Sequence, residues 1–338
     1  MEKKVWIPIV IAAASFLVAG AAVAGYFANK RALEAEKAGL KNELARQNEL
    51  ITTLTGFMDE QMALDSARKG YAESVRIYAP AVPSEVSFAG QTIKLNRFDL
   101  KERMERELLA FTYGHSNSIQ MLKRSGRYFP MVEPILKAKG VPDDLKYLMA
   151  IESNVNPTAL SMAGAAGLWQ FMSATAKEYG LEVNNNVDER YNIERETEAA
   201  CDYLLKAYAK YHDWMTVAAS YNAGQGGVST RIEKQRQRSA LNLWLPEETS
   251  RYMFRILAAK MMFENPAAFG FTLEPEDYYR YIPPRKTITV TEEIKNLPDF
   301  AAANGVSYFQ LRNANLWLKD LNLKVSGKKS YKIKIPAE

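Results

Sequence analysis

The chain has 338 residues, and its 44 Lys and Arg against 39 Asp and Glu give a formal charge of +5. With 47% hydrophobic and 25% charged residues the composition is that of about two ordinary globular domains, which excludes wholesale disorder. One cysteine, Cys201, excludes an internal disulfide framework, and two distant histidines, His115 and His212, supply no zinc-ligand spacing, so neither metal nor cofactor is expected.

Met1-Glu2-Lys3-Lys4 precedes 23 uncharged residues, Val5 to Phe27. As a helix this run would span about 34 Å, enough for a hydrocarbon core of ~30 Å. Lys3 and Lys4 would keep the short N-terminus cytoplasmic and send the rest of the chain to the periplasm. A cleaved signal peptide is the alternative, because Ala22-Val23-Ala24 is an A-x-A site; the protein would then be secreted to the periplasm. Both readings place the body in the cell envelope.

Residues 28–70 read as one helical stalk. Leu40, Leu44, Gln47, Ile51, Leu54 and Met58 follow an a/d spacing, which either packs on the protein's own domain or pairs two stalks in a homodimeric coiled coil. A hairpin is expected at Glu85–Phe88 and Gln91–Leu95, around Ala89-Gly90. Helices are then expected at 98–123, 130–139, 143–153, 173–179, 194–210, 214–220, 228–237 and 247–264. The uncharged stretch Ser153–Ala176 is too polar to be a second membrane span. Thr272 to Arg285 reads as an extended linker. Residues 312–338 hold seven basic and two acidic residues, the whole net charge, so the chain lacks the broad basic face of a nucleic-acid binder. The expected fold class is mainly α: an N-terminal membrane helix (1–27), the stalk (28–70), a helical domain (71–280) and a small α+β module (285–338).

One helix carries a chemical signal. Leu145, Leu148, Met149 and Glu152 sit at i, i+3, i+4 and i+7, so a carboxylate falls on an apolar stripe near a helix C-terminus. Burial and the helix dipole would both raise its pKa. Such a glutamate is either a structural partner in the core or a proton donor in a cleft. Downstream, Ser161-Met-Ala-Gly-Ala-Ala-Gly167 is a run of small residues that permits close backbone approach. It leads into Leu168-Trp169-Gln170-Phe171-Met172. Later comes the polar turn Ser220-Tyr221-Asn222-Ala223-Gly224. Aromatic faces and amides suit sugar rings.

These segments resemble the ordered motifs of the lytic transglycosylase family, which has a goose-type lysozyme (SLT-like) fold. The resemblance rests on Ala150-Ile-Glu-Ser153, Gly167-Leu-Trp-Gln170, Ser220-Tyr-Asn-Ala-Gly224 and Pro246-Glu-Glu-Thr-Ser-Arg-Tyr252, and covers roughly residues 95–270. It implies that Glu152 is the single catalytic acid/base. Ser161 and Gln170 would contact the N-acetylated sugar, and Met172 would line the cleft. Tyr221 and Asn222 would shape the pocket, and Tyr252 would face Glu152. Trp169 departs from the Met common in the family. Asp188 and Arg190 would form a structural salt bridge. No Asp or Glu lies between Glu152 and Glu178, so no second carboxylate is expected from the motifs that build the cleft unless a distant one folds in.

The segment from about Lys286 to Pro336 has a β-α-α-β pattern that resembles a LysM module, which implies binding to N-acetylglucosamine polymers. Together the resemblances imply cleavage of the β-1,4 bond between N-acetylmuramic acid and N-acetylglucosamine in peptidoglycan, with a 1,6-anhydro product. The rivals are a hydrolytic muramidase and a non-catalytic wall tether.

Overall fold

The computed structural model describes the backbone of residues 6–74 and 78–337 and the side chains of 15–66 and 78–337. It divides into two units, 1–78 and 79–338.

The first unit is one helix, α1 (Trp6–Ser74), so the expected boundary between a membrane segment and a stalk is not a break in the backbone. Every described side chain of α1 is exposed, including the seam residues Leu40, Leu44, Ile51, Leu54 and Met58. Among the described residues no helix is long and apolar enough to cross a membrane. The start of the uncharged run, including Val5, lies outside them, so the expected membrane helix is not supported by the structure.

The second unit opens with a hairpin, β1 (Glu85–Phe88) and β2 (Gln91–Lys94), turned by Ala89 and Gly90, both with positive φ. Ten α-helices and a further two-stranded antiparallel sheet follow among the described residues. They begin with α2 (Phe98–Tyr113) and α3 (His115–Lys139), where helices at 98–123 and 130–139 were expected. The chain breaks at Gly114, where a Cβ would lie 2.7 Å from the Ala110 carbonyl oxygen. Pro130 and Pro134 stay inside α3 because Met121, Leu122, Val132 and Leu136 are buried on both sides of the lost backbone bond. That packing offsets the roughly 3 kcal/mol that an interior proline costs a helix.

Next come α4 (Leu145–Ser153), α5 (Ser173–Glu178), α6 (Ile193–Tyr211), α7 (Trp214–Ala223), α8 (Gln225–Gln235) and α9 (Glu247–Glu264). The middle of the body is legible from composition. Helix α9 is apolar almost all round, and Met253, Phe254, Ile256, Leu257, Ala258 and Ala259 are fully buried. A helix of that kind can only sit centrally. It packs against α2, α4 and α7, and each large apolar side chain it buries stabilises by about 1.5–3 kcal/mol.

The C-terminal module is β3 (Lys286–Val290), α10 (Leu297–Ala303), α11 (Tyr308–Ala314) and β4 (Tyr331–Ile335), with β3 and β4 antiparallel. Its core does not close on itself. Leu297, Leu311, Trp317, Leu318 and Ile333 pack in one cluster with Ala166, Val187 and Tyr191 of the helical body. Asp188 N–H donates to the Trp317 carbonyl at 2.9 Å, and Tyr331 O–H and Lys329 reach the Glu182 carboxylate at 2.9 Å. Removing residues 286–338 should therefore lower the melting temperature of the helical body by several degrees, read by calorimetry on the truncated and full chains. An unchanged body transition would show that the contact carries no stability.

Candidate active site

Helix α4 starts just after Pro142 and stops at Asn154 and Val155, which both take left-handed backbone with φ of 54° and 53°. A β-branched residue in that region is strained, and Val155 is fully buried, so packing holds it there. This abrupt stop leaves Glu152 in the last turn. Leu145, Leu148 and Met149 fill the core below it. The Glu152 carboxylate meets α9, where Tyr252 O–H donates to its Oε1 at 2.5 Å.

Burial pushes the Glu152 carboxyl up to about 7. The Tyr252 hydrogen bond and the Arg255 charge pull it down, and Glu248 pushes it up. A carboxyl titrating there is half protonated near neutral pH and can both give and take a proton. The Tyr252 phenol is itself raised well above its usual value by burial and by Glu152, so it remains a donor. Replacing Tyr252 with Phe removes the contact that lowers Glu152. The alkaline limb of the pH–activity profile should then move to higher pH. An unmoved limb would mean that Glu152 is not the group that titrates there.

The small-residue loop packs against α6 and the turn that precedes it. Gly167, at φ +85°, passes so close to α6 and its preceding turn that a Cβ would lie 1.8 Å from the Arg190 carbonyl oxygen and 2.4 Å from Glu196 Oε2. Trp169 is fully buried and its indole N–H donates to Thr197 Oγ1 at 3.0 Å. Gln170 has left-handed backbone (φ 52°), and its amide nitrogen donates to the Gly167 and Ala159 carbonyls at 2.8 and 3.2 Å. Only its carbonyl oxygen remains for a ligand. Ser161 is exposed and its Oγ accepts from Ala165 N–H at 3.0 Å, closing the loop. Met172 is 45% exposed, at the loop's end.

Helix α7 contributes Tyr221, whose O–H donates to the Trp169 carbonyl at 2.7 Å. The Asn222 amide is gripped by α9: Thr249 Oγ1 donates to its Oδ1 at 2.8 Å, and its Nδ2 donates to Glu248 at 3.4 Å. Asp188 and Arg190 pair at 2.8–2.9 Å, and Arg190 also donates to the carbonyls of Gly164 and Phe171 at 2.7 and 3.1 Å, which ties the loop down.

The structure thus brings Glu152 and Tyr252 into direct contact, ties Gln170 to Ser161's loop and Tyr221 to Trp169, and sets Asn222 against α9. A carboxylate distant in sequence does fold in: Glu248, inside the Pro246–Tyr252 motif, raises Glu152 by its charge. Sequence reasoning missed Glu196 as well. That side chain is fully buried, and its two oxygens accept from the backbone N–H groups of Leu168 and Trp169 at 3.2 and 3.1 Å. Its signal was available: Ile193, Glu196, Thr197, Ala200 and Leu204 put a carboxylate on an apolar stripe, the same pattern as Glu152. Among the described residues no cluster of His, Cys, Asp and Glu is placed to hold a metal ion.

Part of this geometry lies within a segment that comparisons recognise. Residues 132–243 match the transglycosylase SLT domain family. Residues 286–338 match the soluble lytic transglycosylase C-terminal LysM-like domain. Membrane-bound lytic murein transglycosylase D of Escherichia coli K12 is 28% identical over 249 residues, covering 71% of this chain and 53% of that protein. Membrane-bound lytic murein transglycosylase C of Glaesserella parasuis is 31% identical over 121 residues, covering 31% of this chain and 33% of that one. The chain spans about half the length of the first of these relatives. Among solved structures, the 70 kDa soluble lytic transglycosylase of Escherichia coli aligns with a TM-score of 0.37 at 20% identity, over 54% of this chain and 33% of that one. The SLT match takes in the first three motifs, with Glu152, Gln170 and Asn222, and stops short of the fourth, with Tyr252.

Proposed function

We propose that the protein is a peptidoglycan lytic transglycosylase. The observation that supports this most is one partly buried glutamate inside the SLT segment, Glu152, raised to about 7 and held by Tyr252 from beyond that segment. Glu152 protonates the oxygen of the β-1,4 bond between N-acetylmuramic acid and N-acetylglucosamine. The C1–O bond breaks, and the N-acetyl oxygen of the muramic acid stabilises the positive C1. Glu152, now ionised, takes the proton of the muramic acid 6-hydroxyl, whose oxygen bonds to C1. The product is a 1,6-anhydro sugar, and no water is consumed.

Gln170 and Ser161 would contact the N-acetylated sugar, Gln170 through its remaining carbonyl oxygen. Met172 would line the cleft. Tyr221 and Asn222 would shape the pocket from α7. Tyr252 would hold Glu152 until the glycosidic oxygen takes its proton. The domain at 71–280 would carry catalysis, and the LysM-like module at 285–338 would hold the glycan. The protein would work in the cell envelope, on peptidoglycan strands. Lys3, Lys4 and the uncharged Val5–Phe27 support an inner-membrane anchor at 1–27 by sequence alone, and the exposed seam of the 28–70 stalk supports a homodimer.

A hydrolytic muramidase has one observation in its favour, the Glu248 carboxylate beside Asn222, which could hold a water. Clearing of a suspension of purified wall sacculi by the soluble ectodomain tests the enzyme reading against a non-catalytic tether. Binding without clearing would leave the tether.

A further inference from the structure

A pocket of about 70 Å³ opens beside Glu152, between α2, α3 and α9, and the motifs do not account for it. Glu107, Asn117, Ser118, Ile151, Asn154 and Arg255 line it. Ile151 and Asn154 bracket Glu152 along the chain, and Arg255 lies one turn beyond Tyr252 on α9.

Its wall carries one carboxylate, Glu107, and one guanidinium, Arg255, and the carboxylate already has a closer partner outside the lining, Arg251. Glu107 is 1% exposed, and its carboxylate is satisfied by Arg251, whose Nε and Nη2 donate at 2.6 and 3.4 Å. Arg255 approaches the same carboxylate only to 4.0 Å, makes no hydrogen bond to it, and keeps 52% of its side chain exposed. Arg251 thus holds Glu107 closely, while Arg255 stands off from it, acts on Glu152 only through its charge, and keeps its guanidinium donors open to an anion at the pocket. Further polar groups stand ready. Asn117 donates to Asn154 Oδ1 at 3.3 Å, which leaves the Asn154 amide N–H₂ and the Asn117 carbonyl oxygen without partners among the described residues. Arg124 fixes the turn by donating to the Asn154 carbonyl at 3.2 Å.

A guanidinium with an adjacent amide donor is a carboxylate receptor, and an adjacent carbonyl acceptor suits a peptide N–H. Neutral sugar hydroxyls would gain little from the cation. We propose that this pocket binds a carboxylate of a peptide carried by the glycan beside the scissile bond, with Arg255 as its cation and Asn154 and Asn117 as its amide partners. The proposal rests on the transglycosylase reading for its substrate. Occupying Arg255 with an anion would also relieve its downward pull on Glu152, so a peptide-bearing strand would present the acid in its protonated form.

The test uses the full chain, its Arg255→Gln and Arg255→Lys variants, and three glycan preparations. These are strands whose peptide carboxylates are free, strands whose peptide carboxylates have been coupled to methylamine, and strands stripped of peptide. For the unmodified protein kcat/KM should be about tenfold higher on free than on amidated peptides, the size of one charge-assisted contact. Arg255→Gln should bring that ratio close to one, and Arg255→Lys should restore part of it. Binding of a soluble N-acetylmuramyl peptide and its amidated derivative, read by calorimetry, should show the same difference without any turnover. A ratio unchanged by Arg255→Gln, or an equal loss on stripped strands, would overturn the peptide site. A protein that turns over none of the strands yet binds the free peptide better than the amidated one would refute the transglycosylase reading and keep the pocket.

Discussion

Replacing Glu152 with Gln is expected to lower kcat on purified sacculi by at least ~10²–10⁴-fold, the usual contribution of general acid–base catalysis, with glycan binding retained. The change keeps the shape and removes only the proton. Glutamine still accepts from Tyr252, so the end of α4 should not move. No neighbour is placed to take over, because Glu248 is engaged by the Asn222 amide and Tyr252 is held protonated by burial and by Glu152. The full role of Glu152 also fixes the pH dependence. The protonated form initiates bond cleavage, and with a value of about 7 that form is depleted above neutrality, so kcat/KM should fall as pH rises through 7. Single-turnover digestion with product quantification separates this loss from weaker binding. Near-full activity of the Gln variant would remove Glu152 from the chemistry.

The second large effect belongs to a residue with no chemistry. Gly167→Ala should destabilise the second unit by roughly 3 kcal/mol or more. The left-handed backbone costs an alanine about 1–3 kcal/mol, and overpacking typically adds about 1–3 kcal/mol. Here the new methyl would meet backbone, the Arg190 carbonyl oxygen at 1.8 Å, which cannot rotate away. Relief would push the loop off Glu196 and break the two backbone bonds that hold Leu168 and Trp169. Activity should fall further than folded fraction, because Gln170 and the Tyr221 contact on Trp169 ride on that loop. Chemical denaturation of the variant, followed by activity at a temperature where it is folded, checks both. A loss under about 1 kcal/mol would show that the loop is slack.

Much of this site was legible before any fold was known. Glu152 shows on its helix as a carboxylate at the edge of an apolar stripe, and the small residues from Ser161 to Gly167 announce a close backbone approach. What the sequence hid depends on contacts between distant residues. Arg251 reaches Glu107 across 144 positions, and Tyr331 reaches Glu182 across 149. No local pattern encodes such pairs. The α2–α3 boundary differs from the expected helices 98–123 and 130–139 for a related reason: α3 runs through Pro130, and packing on the body holds it together. The β-α-α-β order of the module is legible in its sequence, but its contact with the body is not: its core is completed by Ala166, Val187 and Tyr191, far upstream in the chain.

The central claim is that Glu152 closes the sugar on itself rather than delivering water. Digestion of purified sacculi in water enriched in oxygen-18, with mass spectrometry of the released muropeptides, tests it most directly. The account predicts fragments that end in 1,6-anhydromuramic acid and carry no label at C1. Reducing muramic acid ends bearing one labelled oxygen would contradict it and point instead to a water held by Glu248.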